Sequence, residues 1–466
     1  MEMITFAINT ENGSPIYLQL YDYLKREIQT GKIESGTKLP SKRKLSSYLR
    51  ISQNTIRAAY DQLIEEGYVV PIERKGFYIN KLDNIVQIEA GKTIISERID
   101  ALNESIKYDF SYNCVDQATF PFSIWRKLFK EVIDEYDSEL IESGDLRGNV
   151  HLRTSIADYL RQSRGVDCGA DQIVISSGSE YLFQILIQLF DKENVYGIEN
   201  PGYEKLNLLF NSNRSSYKAI AIDREGMILE EIEKSGANII CITPAHQFPS
   251  GRIMPINRRI QILNWANDSH ERFIVEDDYD SEFKYSGKPI PALQGLDTNE
   301  KVIYMGAFSK SLSPAIRVSY MVLPEKLMKI FMRKLPFIIC PVPTIDQKVL
   351  CRFIQEGYFE RHLNKMRNVY KKKREFLENE IVGTGSPIEI IGADAGLHLL
   401  LKVKNGMSEK QLVESAIASG VRVYGVSKYY IHEDPYEAEP QVLLGYAAMD
   451  EQKIKSAVKI LNSAWF

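Results

Sequence analysis

The sequence predicts a multidomain protein: a small N-terminal winged helix-turn-helix, a larger α/β domain with a mostly parallel sheet, and a smaller α+β portion at the C-terminus. Three observations predict this fold class. Apolar residues at helical spacing form three segments near the N-terminus, and two short strand patterns follow them. Beyond Tyr108, short apolar segments alternate with longer helical ones, which is typical of parallel sheets. Beyond about Pro343 the pattern changes to helix and then strands.

Composition and length are those of an ordinary globular protein. The chain has 466 residues, of which 44% are hydrophobic and 26% charged, and this length suggests roughly two to four domains. No apolar run of about 18 residues exists, and Met1 to Gly13 has no secretory features. We therefore expect a cytoplasmic protein without membrane association. The five cysteines form no CxxC pair and no zinc spacing, so no metal site is expected.

The N-terminal region, residues 1–80, is predicted to form three helices and a hairpin. Apolar spacing predicts the first helix over Ser14–Gly31. Ser41 is a suitable cap for a second helix that ends near Leu49, and Ser52 for a third that ends near Gly67. Strands over Tyr68–Pro71 and Phe77–Asn80 then complete a winged helix-turn-helix.

This region carries a basic surface that suits a polyanion. Residues 37–60 contain six Lys and Arg residues and no acid, although a solvated face is the alternative reading. A recognition helix places its N-terminal residues against base edges in the major groove, and Gln, Asn and Arg side chains there can read bases. Arg43 and Lys44 are placed for phosphates, and Gly76 lets the wing approach the minor groove. The candidate base-reading residues are Ser52, Gln53, Asn54, Thr55 and Arg57.

We interpret residues 81–107 as a polar linker and residues 108–466 as one further domain, with a small subdomain over about 344–466. The α/β pattern predicts strands at Ile173–Ser176, Val195–Ile198, Lys218–Ile222, Asn238–Thr243, Arg272–Glu276, Val302–Met305 and Val318–Leu323, and the C-terminal pattern predicts strands at Leu397–Val403, Val421–Gly425 and Val442–Ala447.

Polar residues follow several of these strands, where ligands of α/β sheets bind. Lys310 lies just beyond one strand, Arg317 lies seven residues further on, and an acidic run from Glu276 to Asp280 follows another. Pyridoxal phosphate needs a lysine for a Schiff base, a carboxylate for its ring nitrogen and donors for O3′ and the phosphate. Asp277 is the candidate for the ring nitrogen and Tyr279 for O3′. Asp278 or Asp280 is expected to point outward to solvent.

Two further segments suit the same cofactor. The turn Ser176-Ser-Gly178-Ser179-Glu180 joins a strand to a helix, and amides at a helix N-terminus bind phosphate well. Tyr203 lies in a loop and could stack on an aromatic ring. His246 and His398 are interpreted as structural rather than metal ligands, because no carboxylate or cysteine has ligand spacing to them.

The stretch LPSKRKLSSYLRISQNTIRAAYDQLIEEGY, residues 39–68, resembles the GntR family of bacterial regulators. The remainder, over Tyr108 to Phe466, resembles fold-type I aminotransferases, and the combination resembles the MocR subfamily of transcription regulators. Shared pieces include residues 243–251, 277–283, 395–398 and 423–429. The resemblance implies a pyridoxal-phosphate-dependent transferase fold. It implies that Arg43, Ser52, Asn54, Arg57 and Gly76 contact DNA, although position 53, commonly Arg, is Gln here.

The resemblance also assigns the cofactor residues. It implies that Lys310 forms the Schiff base, Asp277 pairs with the pyridine nitrogen, Tyr279 contacts O3′ and Tyr203 stacks on the ring. Two lysines occupy positions that hold the effector carboxylate in the GABA-responsive member, although both positions could equally be solvent-exposed. The residues implied for the phosphate are Gly178, Ser179, Ser309 and Arg317, and those for the effector are Lys205 and Lys428.

Two departures bear on activity. Aminotransferases usually carry Asn-Pro-x-Gly where this chain has Phe248-Pro-Ser-Gly251, and they place an arginine near the last strand, where Val442–Ala447 has none. We therefore expect sensing with weak half-transamination at most.

The resulting prediction is a transcription regulator that binds double-stranded operator DNA and senses a small amino compound through an aldimine at Lys310. The resemblance implies a homodimer, with the two chains head to tail. The alternatives are a regulator for which pyridoxal phosphate itself is the effector, controlling vitamin B6 synthesis, a true aminotransferase with an accessory DNA-binding head, and a scaffold without cofactor.

Overall fold

A computed structural model describes residues 15–81, 106–285, 290–431 and 440–466. The chain divides into two compact units, with the division between Ser96 and Glu97. We refer to residues 15–81 as the head and to the described residues from 106 onward as the body. The predicted linker at 81–107 lies almost wholly outside the described residues.

The head consists of three helices and a hairpin, as the sequence predicts. Ser41 and Ser52 cap the second and third helices by accepting hydrogen bonds from the backbone N–H groups of Lys44 and Thr55. Buried apolar residues from all three helices and both strands form one core. The elements are α1 (Ile16–Gln29), α2 (Lys42–Leu49), α3 (Gln53–Glu65), β1 (Val69–Ile72) and β2 (Gly76–Ile79).

The body is built on an eight-stranded sheet with strand order β4-β11-β10-β9-β8-β5-β6-β7. The strands are β4 (Ile173–Ser176), β5 (Val195–Asn200), β6 (Ser216–Asp223), β7 (Gly226–Met227), β8 (Ile239–Ile242), β9 (Phe273–Asp278), β10 (Val302–Ala307) and β11 (Ser319–Val322); a short strand, β3 (Tyr108–Asp109), precedes them.

The prediction of a mostly parallel sheet is confirmed, with β7 and β11 as the antiparallel members. The seven predicted strands all exist, and their ends differ from the predicted ends by up to two residues. The orientation of β11 was not predictable, because a buried strand is apolar on both faces whichever way it runs.

Helices cover both faces of this sheet, and buried side chains fill three cores around it. The described helices are α4 (Phe122–Asp134), α5 (Val150–Arg164), α6 (Ser179–Leu189), α7 (Glu204–Ser212), α8 (Leu229–Ser235), α9 (Ile256–Asn267), α10 (Glu325–Lys334), α11 (Thr344–Gln355), α12 (Tyr358–Gly383), α13 (Glu409–Ala418) and α14 (Glu451–Trp465).

The C-terminal part forms an antiparallel sheet of order β12-β13-β16-β15, backed by helices. The segment predicted as a single strand over Val421–Gly425 divides at Val423, and its first half pairs with β3. Helix α11 packs in the core of the larger sheet, so the smaller core begins within α12. The strands are β12 (Ile388–Ile391), β13 (His398–Val403), β14 (Val421–Arg422), β15 (Tyr424–Gly425) and β16 (Gln441–Gly445).

Among the helices of the described segments, none combines the length and the apolar character that crossing a bilayer requires.

Candidate cofactor pocket and DNA-binding surface

A cavity of about 290 Å³ lies where β4, β5, β8, β9 and β10 end. These five strands are parallel to one another, so their carboxyl ends meet at one edge of the sheet and bring distant loops together. All eight cofactor residues named from the sequence line this cavity: Gly178, Ser179, Tyr203, Asp277, Tyr279, Ser309, Lys310 and Arg317.

Lys310 lies in the turn after β10, with its amine inside the cavity. Its Nζ donates a hydrogen bond to the backbone oxygen of Tyr112. Burial lowers the pKa of Lys310 to about 8, against the opposing effect of the nearby Asp280 carboxylate. Near neutral pH about a tenth of the amine is therefore uncharged, far more than for an ordinary lysine, and the uncharged form is the one that attacks a carbonyl carbon.

Asp277 is one of three acidic residues that line the cavity, with Glu180 and Asp280. Burial, with smaller contributions from the carboxylates of Asp278 and Glu199, raises the pKa of Asp277 to about 7. No described residue donates a hydrogen bond to its side chain. A protonated pyridine nitrogen would supply both the missing donor and a compensating positive charge, so the donor set fits pyridoxal phosphate.

The expectation that Asp278 or Asp280 points to solvent is wrong, because both side chains are buried. Asp278 forms an ion pair with Arg164 at 2.8 Å and accepts a hydrogen bond from the hydroxyl of Tyr304 at 2.6 Å. Asp280 lies 2.9 Å from Nδ1 of His246. These partners come from distant segments, and they allow an acidic run to stay inside the protein.

The opposite end of the cavity is suited to a phosphate. Helix α6 begins there at Ser179, and Gly178 before it has a φ of 111°. A Cβ at Gly178 would lie 2.1 Å from Nη2 of Arg317, so only glycine lets this guanidinium approach the helix start. Arg317 also donates to the Glu180 carboxylate at 3.2 Å. Positive charge and helix amides therefore converge on one point.

The two predicted effector lysines lie in different environments. Lys205 lines the cavity, but its Nζ is 2.8 Å from Oε1 of Glu180, so this lysine already has a carboxylate partner. Lys428 is exposed, and its Nζ lies over the ring of Tyr429 at 4.7 Å and over that of Tyr112 at 5.7 Å. No ion pair of Lys428 occurs among the described residues.

Aromatic rings form one wall of the cavity. Tyr203 is predicted to stack on the cofactor, and its ring centroid lies 6.2 Å from that of Phe248. The ring centroids of Phe248 and Tyr112 are 5.3 Å apart. The ring centroids of Tyr112 and Tyr429 are 6.2 Å apart. Tyr112 was not identified from the sequence, because it precedes Lys310 by 198 residues and lies in no motif.

Sequence spacing gave no carboxylate neighbour for His246 and His398, but the fold provides one. The fold brings Asp280 to His246, and one ligand atom from each of Asp280, His246 and His398 lies within 4.8 Å of the others. Both histidine rings are buried, 4.8 Å apart. Sequence spacing could not predict this cluster, because its members follow three different strands or loops.

The head exposes the side chains named for DNA contacts. Arg43, Lys44, Gln53, Asn54 and Arg57 are exposed on α2 and the start of α3. Ser52 and Thr55 instead bond to each other at 2.8 Å, because Ser52 caps α3.

The wing supplies further features of this surface. Gly76 has a φ of 110°, which favours glycine. Arg74 and Lys75, which were not named from the sequence, are exposed in the wing turn beside it. The head thus presents cations and hydrogen-bonding side chains on the surface of its last two helices and its wing, as a DNA-binding surface requires.

Comparison with known families covers both units. Residues 106–461 match the family aminotransferase class I and II, and residues 16–79 match the family of bacterial regulatory proteins, gntR family. The structure is similar to the solved structure of kynurenine aminotransferase from Pyrococcus horikoshii, with a TM-score of 0.70 and 25% sequence identity. The similarity covers 82% of this chain and 96% of the aminotransferase chain. These matches confirm the predicted fold class.

Several relatives match over nearly the whole chain, and two of them illustrate the family. HTH-type transcriptional regulator YdeL of Bacillus subtilis, described as uncharacterized, is 41% identical over 99% of both chains. The probable rhizopine catabolism regulatory protein MocR of Rhizobium meliloti is 30% identical over 98% of this chain and 95% of its own. The similarity therefore extends through the DNA-binding type of head and the aminotransferase type of body together.

Proposed function

Because the chain belongs to the MocR-type transcription regulators, with a gntR-family head and a class I and II aminotransferase body, we propose that it is a pyridoxal-phosphate-dependent regulator that senses an amino compound at Lys310. One observation carries this proposal: the Lys310 amine and the unpartnered Asp277 carboxylate share a cavity with the Arg317 guanidinium. A lysine, an acid and an anion site are the groups that this cofactor requires.

When bound, pyridoxal phosphate supplies an aldehyde that condenses with an amine and a ring that withdraws electrons from it. Lys310 would hold the aldehyde carbon through Nζ, and Asp277 would keep a proton on the ring nitrogen. Arg317 and the start of α6 would bind the phosphate, with Ser179 and Ser309 beside them. Tyr203 would cover the ring, and Tyr279 would donate to O3′.

The residues of the cavity favour sensing over turnover. Phe248 stands where aminotransferases usually provide an asparagine, and β16 contributes no arginine to bind a substrate carboxylate. An incoming amine would replace Lys310 Nζ at the aldehyde carbon and release the lysine as a free amine. Lys428 is not among the residues that line the cavity, but its Nζ lies 5.7 Å from the ring of Tyr112, which does line it. Because Lys205 is paired with Glu180, Lys428 is our candidate for binding a carboxylate on the same compound.

Control of DNA binding requires that the amino compound bind two conformations with different affinities. We propose that exchange at Lys310 supplies this difference and that residues 81–107 transmit it to the head. A cytoplasmic homodimer, head to tail, would present two heads to two operator half-sites.

The proposal predicts a visible absorption band that depends on Lys310. Purified wild-type protein supplied with pyridoxal phosphate should show the band of a lysine-bound aldehyde, and Lys310→Ala should lose it, because no amine then holds the carbon. A panel of amino acids, amines and D-amino acids is then titrated against the wild-type band. Lys205→Ala is the matched control, since it removes a cavity lysine that is already paired.

The outcomes separate the candidate functions. A band that one amino compound shifts supports sensing at Lys310. A band that no compound shifts, with DNA binding that responds to pyridoxal phosphate, would favour the cofactor itself as the signal. Repeated conversion of an amino acid to its keto acid would favour an enzyme. No band in the wild type would refute the cofactor assignment.

The DNA-binding surface predicts a contrast between two substitutions in the head. Asn54→Ala should weaken operator binding by about 10- to 100-fold and scarcely change binding to scrambled DNA, because its amide would read a base edge. Lys44→Ala should weaken binding to both operator and scrambled DNA. It should also reduce the slope of log affinity against log salt concentration by the amount of about one phosphate contact. Salt titrations of both variants on both DNAs test this. Equal losses on operator and scrambled DNA for Asn54→Ala would contradict a base-reading role.

A further inference from the structure

The cluster of Asp280, His246 and Tyr279 lies beside the cavity, and its members Asp280 and His246 are buried and have no role in the assignments above. Nδ1 of His246 lies 2.9 and 3.0 Å from the two carboxylate oxygens of Asp280 and 3.0 Å from the hydroxyl of Tyr279. The histidine is 1% exposed. Two carboxylate oxygens and one hydroxyl oxygen therefore surround a single nitrogen atom.

The chemistry of these groups determines where the protons lie. Carboxylate oxygens only accept hydrogen bonds, so Nδ1 must carry the hydrogen that points at Asp280. Tyr279 then cannot donate to Nδ1, and its oxygen can only share the N–H of His246. The hydroxyl hydrogen of Tyr279 is thereby directed elsewhere, and the cavity that Tyr279 lines is where an acceptor can meet it.

We propose that His246 is a positioning residue that makes Tyr279 a hydrogen-bond donor toward the O3′ oxygen of bound pyridoxal phosphate, with Asp280 fixing the His246 tautomer. This inference rests on the proposed function. It also accounts for Phe248, because a tyrosine with a fixed donor direction supplies a hydrogen bond to O3′ where the usual asparagine is absent.

The surroundings hold the cluster in this state. A Cβ at Gly396 would lie 2.0 Å from Cε1 of His246, so the backbone packs directly on the ring and prevents it from rotating. Nε2 of His246 is buried without a partner among the described residues, which suits a ring that carries its hydrogen on Nδ1. Burial raises the pKa of Tyr279 well above its usual value, and Asp280 raises it further, so the donor hydrogen stays in place.

Other titratable groups face this cluster from several strands and loops. Burial lowers the pKa of His398 well below its usual value, which leaves His398 neutral. These atoms suit a metal-binding site less well, because Nδ1 of His246 already donates to Asp280 and the Lys310 amine is nearby. The facing groups are Asp277 and Asp278 in β9, Glu282 and Tyr285 after β9, Glu199 in β5, Lys310 after β10, His398 in β13 and Tyr446 after β16.

The test measures the pH midpoint of the visible band that the lysine-bound cofactor gives. Loss of a donor to O3′ concentrates negative charge on that oxygen, so the neighbouring proton on Lys310 Nζ is held more tightly. His246→Leu should therefore raise the midpoint by about 1 pH unit. His246→Asn, which can keep an N–H near the Nδ1 position, should restore it to within about 0.3 unit of the wild type.

A cycle with Tyr279→Phe distinguishes this role from a structural one. Tyr279→Phe alone should raise the midpoint by a similar amount, and adding His246→Leu to it should have no further effect. Thermal unfolding of each variant shows whether it folds, and a loss of stability alone does not move the midpoint.

Unchanged midpoints in His246→Leu would overturn the inference, as would additive shifts in the double variant. One bound metal ion per wild-type chain that His246→Leu loses would replace it with a metal site. A wild type without any visible band would refute the proposed function, and the inference with it.

Discussion

Arg164→Met is expected to lower the free energy of unfolding of the body by about 3–5 kcal/mol, because it leaves the Asp278 carboxylate buried without its counter-charge. Arg164 and Asp278 are 4% and 5% exposed, and their side chains are 2.8 Å apart. Denaturation followed by tryptophan fluorescence measures this directly, since the three tryptophans, at 125, 265 and 465, all lie in the body.

The same helix provides a matched control. Arg161, one turn earlier, pairs with Asp158 at the surface, so Arg161→Met should cost no more than about 1 kcal/mol. If the two variants lost equal stability, the buried ion pair would not be what holds the acidic run inside.

The stability loss of Arg164→Met should also depend on pH. Burial raises the pKa of Glu276 and of Glu282 to about 7, and Arg164 opposes both shifts. An acid whose pKa is higher in the folded than in the unfolded state makes stability fall as pH rises between those two values. Without Arg164 both pKa values rise further, so the stability of the variant should fall more steeply between about pH 5 and 8 than that of the wild type.

The second large effect is the coupling between the cavity and the head. Saturation with the amino compound that shifts the visible band should change operator affinity by about 5- to 150-fold, the usual range of coupling between two sites. Exchange at Lys310 is the physical reason, because only a ligand with different affinities for two conformations can shift their populations. Gel-shift or anisotropy titrations of wild-type protein, with and without the compound, measure the factor. Lys310→Ala should lack the response that depends on this exchange.

The sequence predicted the helices of the head and most strands of the body because their apolar periods are regular. It also predicted which side chains follow the strand ends, and Lys310, Asp277 and Arg317 are brought together because parallel strands end at one edge. Those residues could be named because each lies in a recognisable local motif.

Contacts between distant segments could not be predicted in this way. Tyr112 meets Lys310, and Glu180 pairs with Lys205, only through the packing of separate loops. The burial of Asp280 depends on His246, which precedes it by 34 residues. An acidic run looks solvated in a sequence unless its partners are known, which is why its orientation was wrongly predicted.

Reciprocity of coupling gives the most direct test of the claim that chemistry at Lys310 controls DNA binding. The midpoint for the amino compound is read from the visible band with and without saturating operator DNA, and scrambled DNA is the control. The two sites must change each other's affinity by the same factor. We predict that operator DNA shifts this midpoint by the same factor by which the compound changes operator affinity. A midpoint that operator DNA leaves unchanged would contradict it.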